Sequence, residues 1–187
     1  MTHFFHRVAR NPIIAAIRDL DDLDTALECP VEIIFLLNGN IFNLKEISQK
    51  VRSKNKGLYI HIESIDGFSK DTWGLEYIVK NIYPDGIITE KSNLVKLCKD
   101  MGVFTIQRML IHDSIALENS IKSIKNLRPS AIEILPGIMP KLIKKFIQET
   151  KISVIASGLI TDKYDIHSSL DAGSTAISTS CKDLWYL

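Results

Sequence analysis

Small hydroxyl residues and glycine close two apolar runs near the end of the chain. Ser157-Gly158 ends the run in K-I-S-V-I-A-S-G-L-I, and Ser178-Thr179-Ser180 ends D-A-G-S-T-A-I-S-T-S. Glycine lets a ligand approach the backbone, hydroxyls donate hydrogen bonds, and the unpaired N–H groups opening a following helix favour negative charge. Ser157, Gly158, Ser178, Thr179 and Ser180 are therefore read as a phosphate cradle, against the plainer reading that small residues simply permit tight turns. The segment between them, with Asp162, Ile166 and Leu170, has room for one short helix. The whole is a parallel strand–helix–strand unit. As the last two strands of a (β/α)8 barrel, these runs would end where such barrels hold phosphate.

The same alternation recurs upstream. Apolar runs at Ile13–Ile17, Val31–Leu37, Leu58–Ile62, Gly86–Ile88, Val103–Ile106 and Ala131–Leu135 are each followed by polar or turn residues and then an amphipathic stretch. Leu44, Ile47 and Val51 form one such stripe, capped by Asn43; Leu117, Ile121 and Ile124 form another; Pro140 opens a third. With the final two strands the count is eight. The expected fold is α/β, a compact (β/α)8 TIM-type barrel occupying residues 1–187 as a single domain, with an open flavodoxin-like sheet as the alternative. Eight units in 187 residues leave roughly 23 residues each, where a typical barrel of ~250 has about 31. Only C-K-D-L-W-Y-L follows Ser180, so the last helix must be truncated. The apolar flank left there needs cover from Leu184, Trp185, Phe4-Phe5 or another subunit.

Strand parity then assigns faces. Ile13, Ala15 and Ile17, Ile33, Phe35 and Leu37, Leu58, Ile60 and Ile62, and Ile132 and Ile134 are placed toward the helices. The opposite parity holds the polar residues Arg18, Asn38, His61, Glu63, Thr105, Gln107, Glu133, Ser153, Ser157 and Ser178, most of them at strand C-termini, where barrel ligands bind. Glu133 lies mid-strand, and a buried carboxylate wants a partner. Lys91, closing the fourth strand, is a candidate for a ligand phosphate or for Glu133. Gln107 is assigned to ligand hydroxyls, and Arg108, of opposite parity, is read as a surface or inter-helix ion-pair residue. His61 and Glu63 resemble an acid–base pair and equally a hydrogen-bonded polar pair completing the mouth.

Composition removes several classes. The formal net charge is +1, which predicts neither a strong polyanion binder nor an acidic one. Cys29, Cys98 and Cys181 are isolated, and His3, His6, His112 and His167 lack ligand spacing, so no disulfide framework, metal or other cofactor is expected. No run is long enough to span a bilayer, and no cleavable leader is evident, so a cytoplasmic location without membrane association is expected.

Seven stretches together resemble the glycerol-3-phosphate-responsive antiterminator family. They are I-I-A-A-I-R-D (Ile13–Asp19), H-I-E-S-I-D-G (His61–Gly67), D-G-I-I-T-E-K (Asp85–Lys91), T-I-Q-R (Thr105–Arg108), E-I-L-P-G-I-M-P-K (Glu133–Lys141), A-S-G-L-I (Ala156–Ile160) and A-I-S-T-S (Ala176–Ser180). The resemblance covers essentially the whole chain and adds Gly137 to the ligand set. It implies a non-enzymatic regulator that binds glycerol 3-phosphate and acts on the leader mRNA of a glycerol operon. Two departures stand out: Ser157-Gly158 where the family has Gly-Gly, and His61-Ile62-Glu63 where it has His-x-Asp.

The competing class is a barrel enzyme, an isomerase or aldolase acting on a small phosphorylated substrate, with His61, Glu63, Lys91 and Glu133 at the mouth. Against it, no catalytic motif stands out and the short loops leave no obvious lid. For RNA, Lys122, Lys125 and Arg128 on the fifth helix and Lys141, Lys144 and Lys145 on the sixth form a candidate basic ridge, which a homo-oligomer would double; Lys54 and Lys56 are the fallback. The plain alternative is a solvated helix face.

Overall fold

A computed structural model describes residues 3–187. Eight parallel strands close into a barrel: β1 Ile13–Ile17, β2 Ile33–Leu36, β3 Gly57–His61, β4 Gly86–Thr89, β5 Thr105–Leu110, β6 Ala131–Leu135, β7 Val154–Ser157 and β8 Ala176–Thr179. Closure comes from β8 pairing with β1, with Ile14 opposite Ser178 and Ala15 opposite Thr179. Helix α1 His3–Arg10 precedes the barrel, and around it lie α2 Leu23–Glu28, α3 Leu44–Ser53, α4 Thr72–Ile82, α5 Ser92–Asp100, α6 Ser114–Leu127, α7 Pro140–Thr150 and α8 Lys163–Asp171. The barrel expectation holds, and the open sheet is excluded.

Local chemistry starts these helices where the strands deliver the chain. Asp71 accepts from the N–H groups of Trp73 and Gly74, Asp113 from Ala116, and Asp162 from Asp165, so three helices have side-chain caps on their orphan donors. Pro140 begins α7, where a missing N–H costs nothing. A two-residue parallel ribbon, Gly39–Asn40 with Ile65–Asp66, ties the loops after β2 and β3 together above the barrel.

The core has two shells. The outer one lies between strands and helices and contains Ile13, Ala15, Ile17, Ile34, Leu36, Leu58, Ile60, Ile132, Ile134, Ala156 and Ile177. The inner one fills the barrel with Ile14, Ile33, Phe35, Tyr59, Ile88, Ile106, Ala131, Ile155 and Ala176. The parity assigned to β2 is therefore inverted: Ile33 and Phe35, with Leu37 packed against them, point inward, while Ile34 and Leu36 meet the helices. Four successive apolar residues carry no alternation, so sequence leaves the face open and barrel closure decides it. Strand β5 also differs. It runs on to Leu110, and Ile106 is the inward residue, which sends Thr105 and Gln107 toward the helices and Arg108 into the barrel.

Both ends of the chain seal the barrel, at different places. Helix α1 is a plug: Phe4 and Val8, four residues apart on one face, join the inner shell, with Phe4 edge-on to Tyr59 at 5.3 Å. Phe4 thus fills the barrel rather than the flank of the last strand. That flank is closed by the 3-10 turn Lys182–Tyr186 after β8, which buries Leu184 and Trp185 in the outer shell.

Candidate functional site

The polar strand ends converge on a cavity of about 330 Å³ at the C-terminal mouth. Its lining includes Arg18 beyond β1, Ser64 beyond β3, Arg108 of β5, Ser157 and Gly158 at β7, and Ser178 to Ser180 at β8. Ala16, Leu37 and Leu135 supply apolar surface. A larger cavity, about 500 Å³, opens at the opposite end among Phe4, Tyr59, Asp85, Phe104 and Arg128. Ionic and hydroxyl groups line both, among them Asp85, Lys99, Thr105, Arg128 and Ser130 in the larger one, and we place the site in the smaller because it lies at the C-terminal strand ends, where barrel ligands bind.

Arg18 and Arg108 are the charged residues of its lining, and Arg108 is backed by a buried carboxylate. Arg108 and Glu133 sit opposite each other on neighbouring strands, both inward, and the Arg108 Nε donates to Glu133 Oε2 at 2.7 Å. Glu133 is completely buried, and its other oxygen, Oε1, has no hydrogen-bond partner. An arginine has five N–H donors, and Nε uses one, so the four terminal ones remain for the cavity. Arg18 stands exposed at the rim, its carbonyl taken by the Asn38 side chain at 3.0 Å.

The hydroxyl end is built with more constraint. Gly158 has φ +78° and Leu159 φ +62°, so the chain turns through the left-handed region immediately after β7. Gly137 fixes that turn from the neighbouring loop. Its N–H donates to the Gly158 carbonyl at 3.2 Å, and a Cβ there would lie 2.4 Å from the Ser157 nitrogen. Gly137 therefore positions Ser157-Gly158 and does not line the cavity. The Thr179 hydroxyl is spent inside the fold, donating to the Ile160 carbonyl and accepting from the Cys181 N–H. Ser178 Oγ is buried with no partner.

The remaining sequence candidates lie beside the cavity rather than in it. His61 is buried at the end of β3, its Nδ1 2.5 Å from Ser64 Oγ and its Nε2 3.3 Å from Glu63 Oε2. Burial, reinforced by the positive charges of Arg108 and Lys70, pushes the imidazole down to about 3. The ring is thus neutral near pH 7, and its contact with Glu63 is a polar one rather than an ion pair. Glu63 Oε1 accepts from the Thr89 hydroxyl at 2.5 Å. Gln107 is buried among these groups on the helix side of β5, its Oε1 unpartnered, so the inward direction assigned to it is corrected to Arg108. Lys91 is exposed at the N-cap of α5, outside the cavity lining, and the partner of Glu133 is Arg108. Arg108 and Ser64 are the polar lining residues that sequence reasoning did not select. The available signal was an arginine and a glutamate at matching depth on consecutive strands.

On the outer surface α6 and α7 are neighbours. Lys122, Arg128, Lys141, Lys144 and Lys145 are exposed, while Lys125 is paired with Glu149 at 2.6 Å and holds that carboxyl below its usual range. Arg128 turns to the opposite cavity. Lys54 pairs with Glu28, and Lys56 is bound to the Cys29 and Val31 carbonyls. Among the described residues no group of three or more His, Cys, Asp or Glu is placed to hold a metal, and no helix is long and apolar enough to cross a membrane.

Residues 13–185 match the family described as glycerol-3-phosphate responsive antiterminator. The chain belongs to that family. Among solved structures, the glycerol uptake operon antiterminator regulatory protein from Listeria monocytogenes is 30% identical, with a TM-score of 0.90, over 94% of this chain and 95% of its own. A glycerol uptake operon antiterminator-related protein from Thermotoga maritima is also 30% identical, with a TM-score of 0.84, over 94% and 98%. The uncharacterized protein YgcP of Escherichia coli is 33% identical over 182 residues, 97% of this chain and 95% of that one. Aldolase barrels 15% identical to the chain share the fold alone.

Proposed function

We propose that this protein senses glycerol 3-phosphate at the barrel mouth and, in the bound state, acts on the leader RNA of a glycerol operon without turning the ligand over. The observation that carries the reading is the cavity itself. Two guanidinium groups, Arg18 and Arg108, face it together with Ser157, Ser178, Ser180 and the left-handed turn at Gly158. Charge-assisted donors of this kind suit a phosphate dianion, and about 330 Å³ is at the small end of ligand cavities, roughly 300–1,000 Å³. Lysine is missing from the cavity lining, and Lys91 points elsewhere, so recognition is better supported than amine-based catalysis.

Glycerol 3-phosphate should raise the melting temperature with concentration. At a hundredfold excess over Kd, linkage stabilises the folded state by about 2.7 kcal/mol, roughly 5–11 °C for a domain of this size. Glycerol should do far less, and the ester should be recovered unchanged after prolonged incubation. Gly158→Val, which forces a β-branched residue into φ +78° and toward Leu135, should abolish the shift while the barrel still folds. Equal stabilisation by glycerol and its phosphate ester would remove the anion site; sustained turnover would establish an enzyme.

For RNA the reading rests on α7. Lys141, Lys144 and Lys145 are exposed, and no carboxylate within the described residues pairs with them. The triple variant Lys141→Glu, Lys144→Glu, Lys145→Glu should keep the ligand-induced shift. Its leader-RNA affinity and salt dependence should fall, each lost phosphate contact lowering the slope of log K against log salt by about 0.7–0.9. RNA affinity that survives the triple change would make this face ordinary solvated surface.

A further inference from the structure

We propose that Ser64 reads the oxidation state of the ligand's central carbon, accepting a hydroxyl there and rejecting a carbonyl. The proposal rests on the mouth taking a three-carbon phosphoester. Ser64 belongs to the 3-10 turn Ile62–Ser64 after β3 and lines the cavity. Its Oγ is 2.5 Å from His61 Nδ1. The other ring nitrogen, Nε2, faces two carboxylates, Glu63 Oε2 at 3.3 Å and Glu90 Oε1 at 3.8 Å.

The proton positions follow from this arrangement. Nε2 makes no hydrogen bond within the described residues, but a bare lone pair beside the Glu63 and Glu90 carboxylates would be repelled, so Nε2 carries the single proton of the neutral ring. Nδ1 is then bare and accepts the Ser64 hydroxyl proton. With its own proton committed to His61, Ser64 shows the cavity only lone pairs. A ligand oxygen that meets it must bring a hydrogen, which an alcohol does and a ketone does not. The depressed basicity of His61 keeps the ring singly protonated across the physiological range. Glu63 is held in turn by the Thr89 hydroxyl, which keeps its carboxylate beside Nε2 and so favours the proton there.

Calorimetric titration of the wild-type protein with glycerol 3-phosphate and with its 2-keto analogue, dihydroxyacetone phosphate, tests this. Two acceptors left facing each other are expected to cost the ketone about 10–100-fold in affinity. Ser64→Ala should bring the two Kd values within about threefold, and Ser64→Thr, which keeps the hydroxyl, should retain the preference. Glu63→Gln is the decisive variant. Its amide can donate to Nε2, which moves the ring proton to Nδ1 and frees the Ser64 O–H to donate into the cavity. The preference should then shift toward the ketone, whereas a merely structural role would weaken both ligands alike. Similar wild-type affinities for the two esters, or a preference untouched by Ser64→Ala, would overturn the filter and leave the phosphate site standing. Failure of both esters to bind would overturn the filter and the ligand reading together.

Discussion

Arg108→Met is expected to cost about 3–5 kcal/mol of folding stability, because it strands a carboxylate inside the barrel. Glu133 is fully buried and, among the described residues, its one charged partner is the Arg108 Nε at 2.7 Å. Arg108 itself is only 11% exposed, so the pair is held largely out of water. The double variant Arg108→Met, Glu133→Leu should recover most of the loss, since a buried ion pair exchanged for apolar residues of similar size is often neutral. Urea denaturation of the two single variants and the double one gives the coupling directly. The double variant should fold and yet show no thermal shift with glycerol 3-phosphate, separating the structural use of the guanidinium from its use on the ligand. A loss below about 1 kcal/mol in Arg108→Met would mean that Glu133 is satisfied by another route.

That pair also shows where the sequence stops being readable. Counting strand ends suffices for the barrel, because each apolar run is closed by a polar or turn residue and followed by a helical stripe. Facing direction is harder. In β1, Ala16 and Arg18 share a parity, and the polar member fixes the side. In β2 the run Ile33-Ile34-Phe35-Leu36 is apolar on both faces, and only its register against β1 and β3 sets which half enters the barrel. In β5 two long polar residues, Gln107 and Arg108, are adjacent, so alternation guarantees one inside and one outside without saying which. Register with β6 decides, by bringing Arg108 beside Glu133. Ser64 was hidden for a different reason. It follows the strand in a 3-10 turn, where the two-residue period no longer applies, and it enters the cavity through His61 rather than by parity. Helix α1 escaped because eight residues with two buried side chains make a weak pattern until Tyr59 and Phe35 are seen waiting for them.

Trp185→Ala should be about as damaging as the loss of Arg108, by a different mechanism. Its side chain is wholly buried over the seam where β8 meets β1, in the place a full helix would occupy. Deleting so large a ring typically costs about 3–5 kcal/mol in lost transfer energy and cavity, which at this size lowers the melting temperature by roughly 6–20 °C. The ring also reaches the site. Its Nε1 donates to the Thr179 carbonyl at 2.9 Å, and Thr179 stands between Ser178 and Ser180 on the cavity wall. Trp185→Phe keeps most of the packing and removes that hydrogen bond, leaving a carbonyl in a buried seam. It should cost about 1–3 kcal/mol, and the ligand-induced shift should shrink further than that instability alone accounts for, because the β8 hydroxyls lose their anchor. Denaturation midpoints with and without glycerol 3-phosphate separate the two effects. Trp185→Ala within about 1 kcal/mol of wild type would mean that the seam is covered from outside, by a second subunit against the β8–β1 flank.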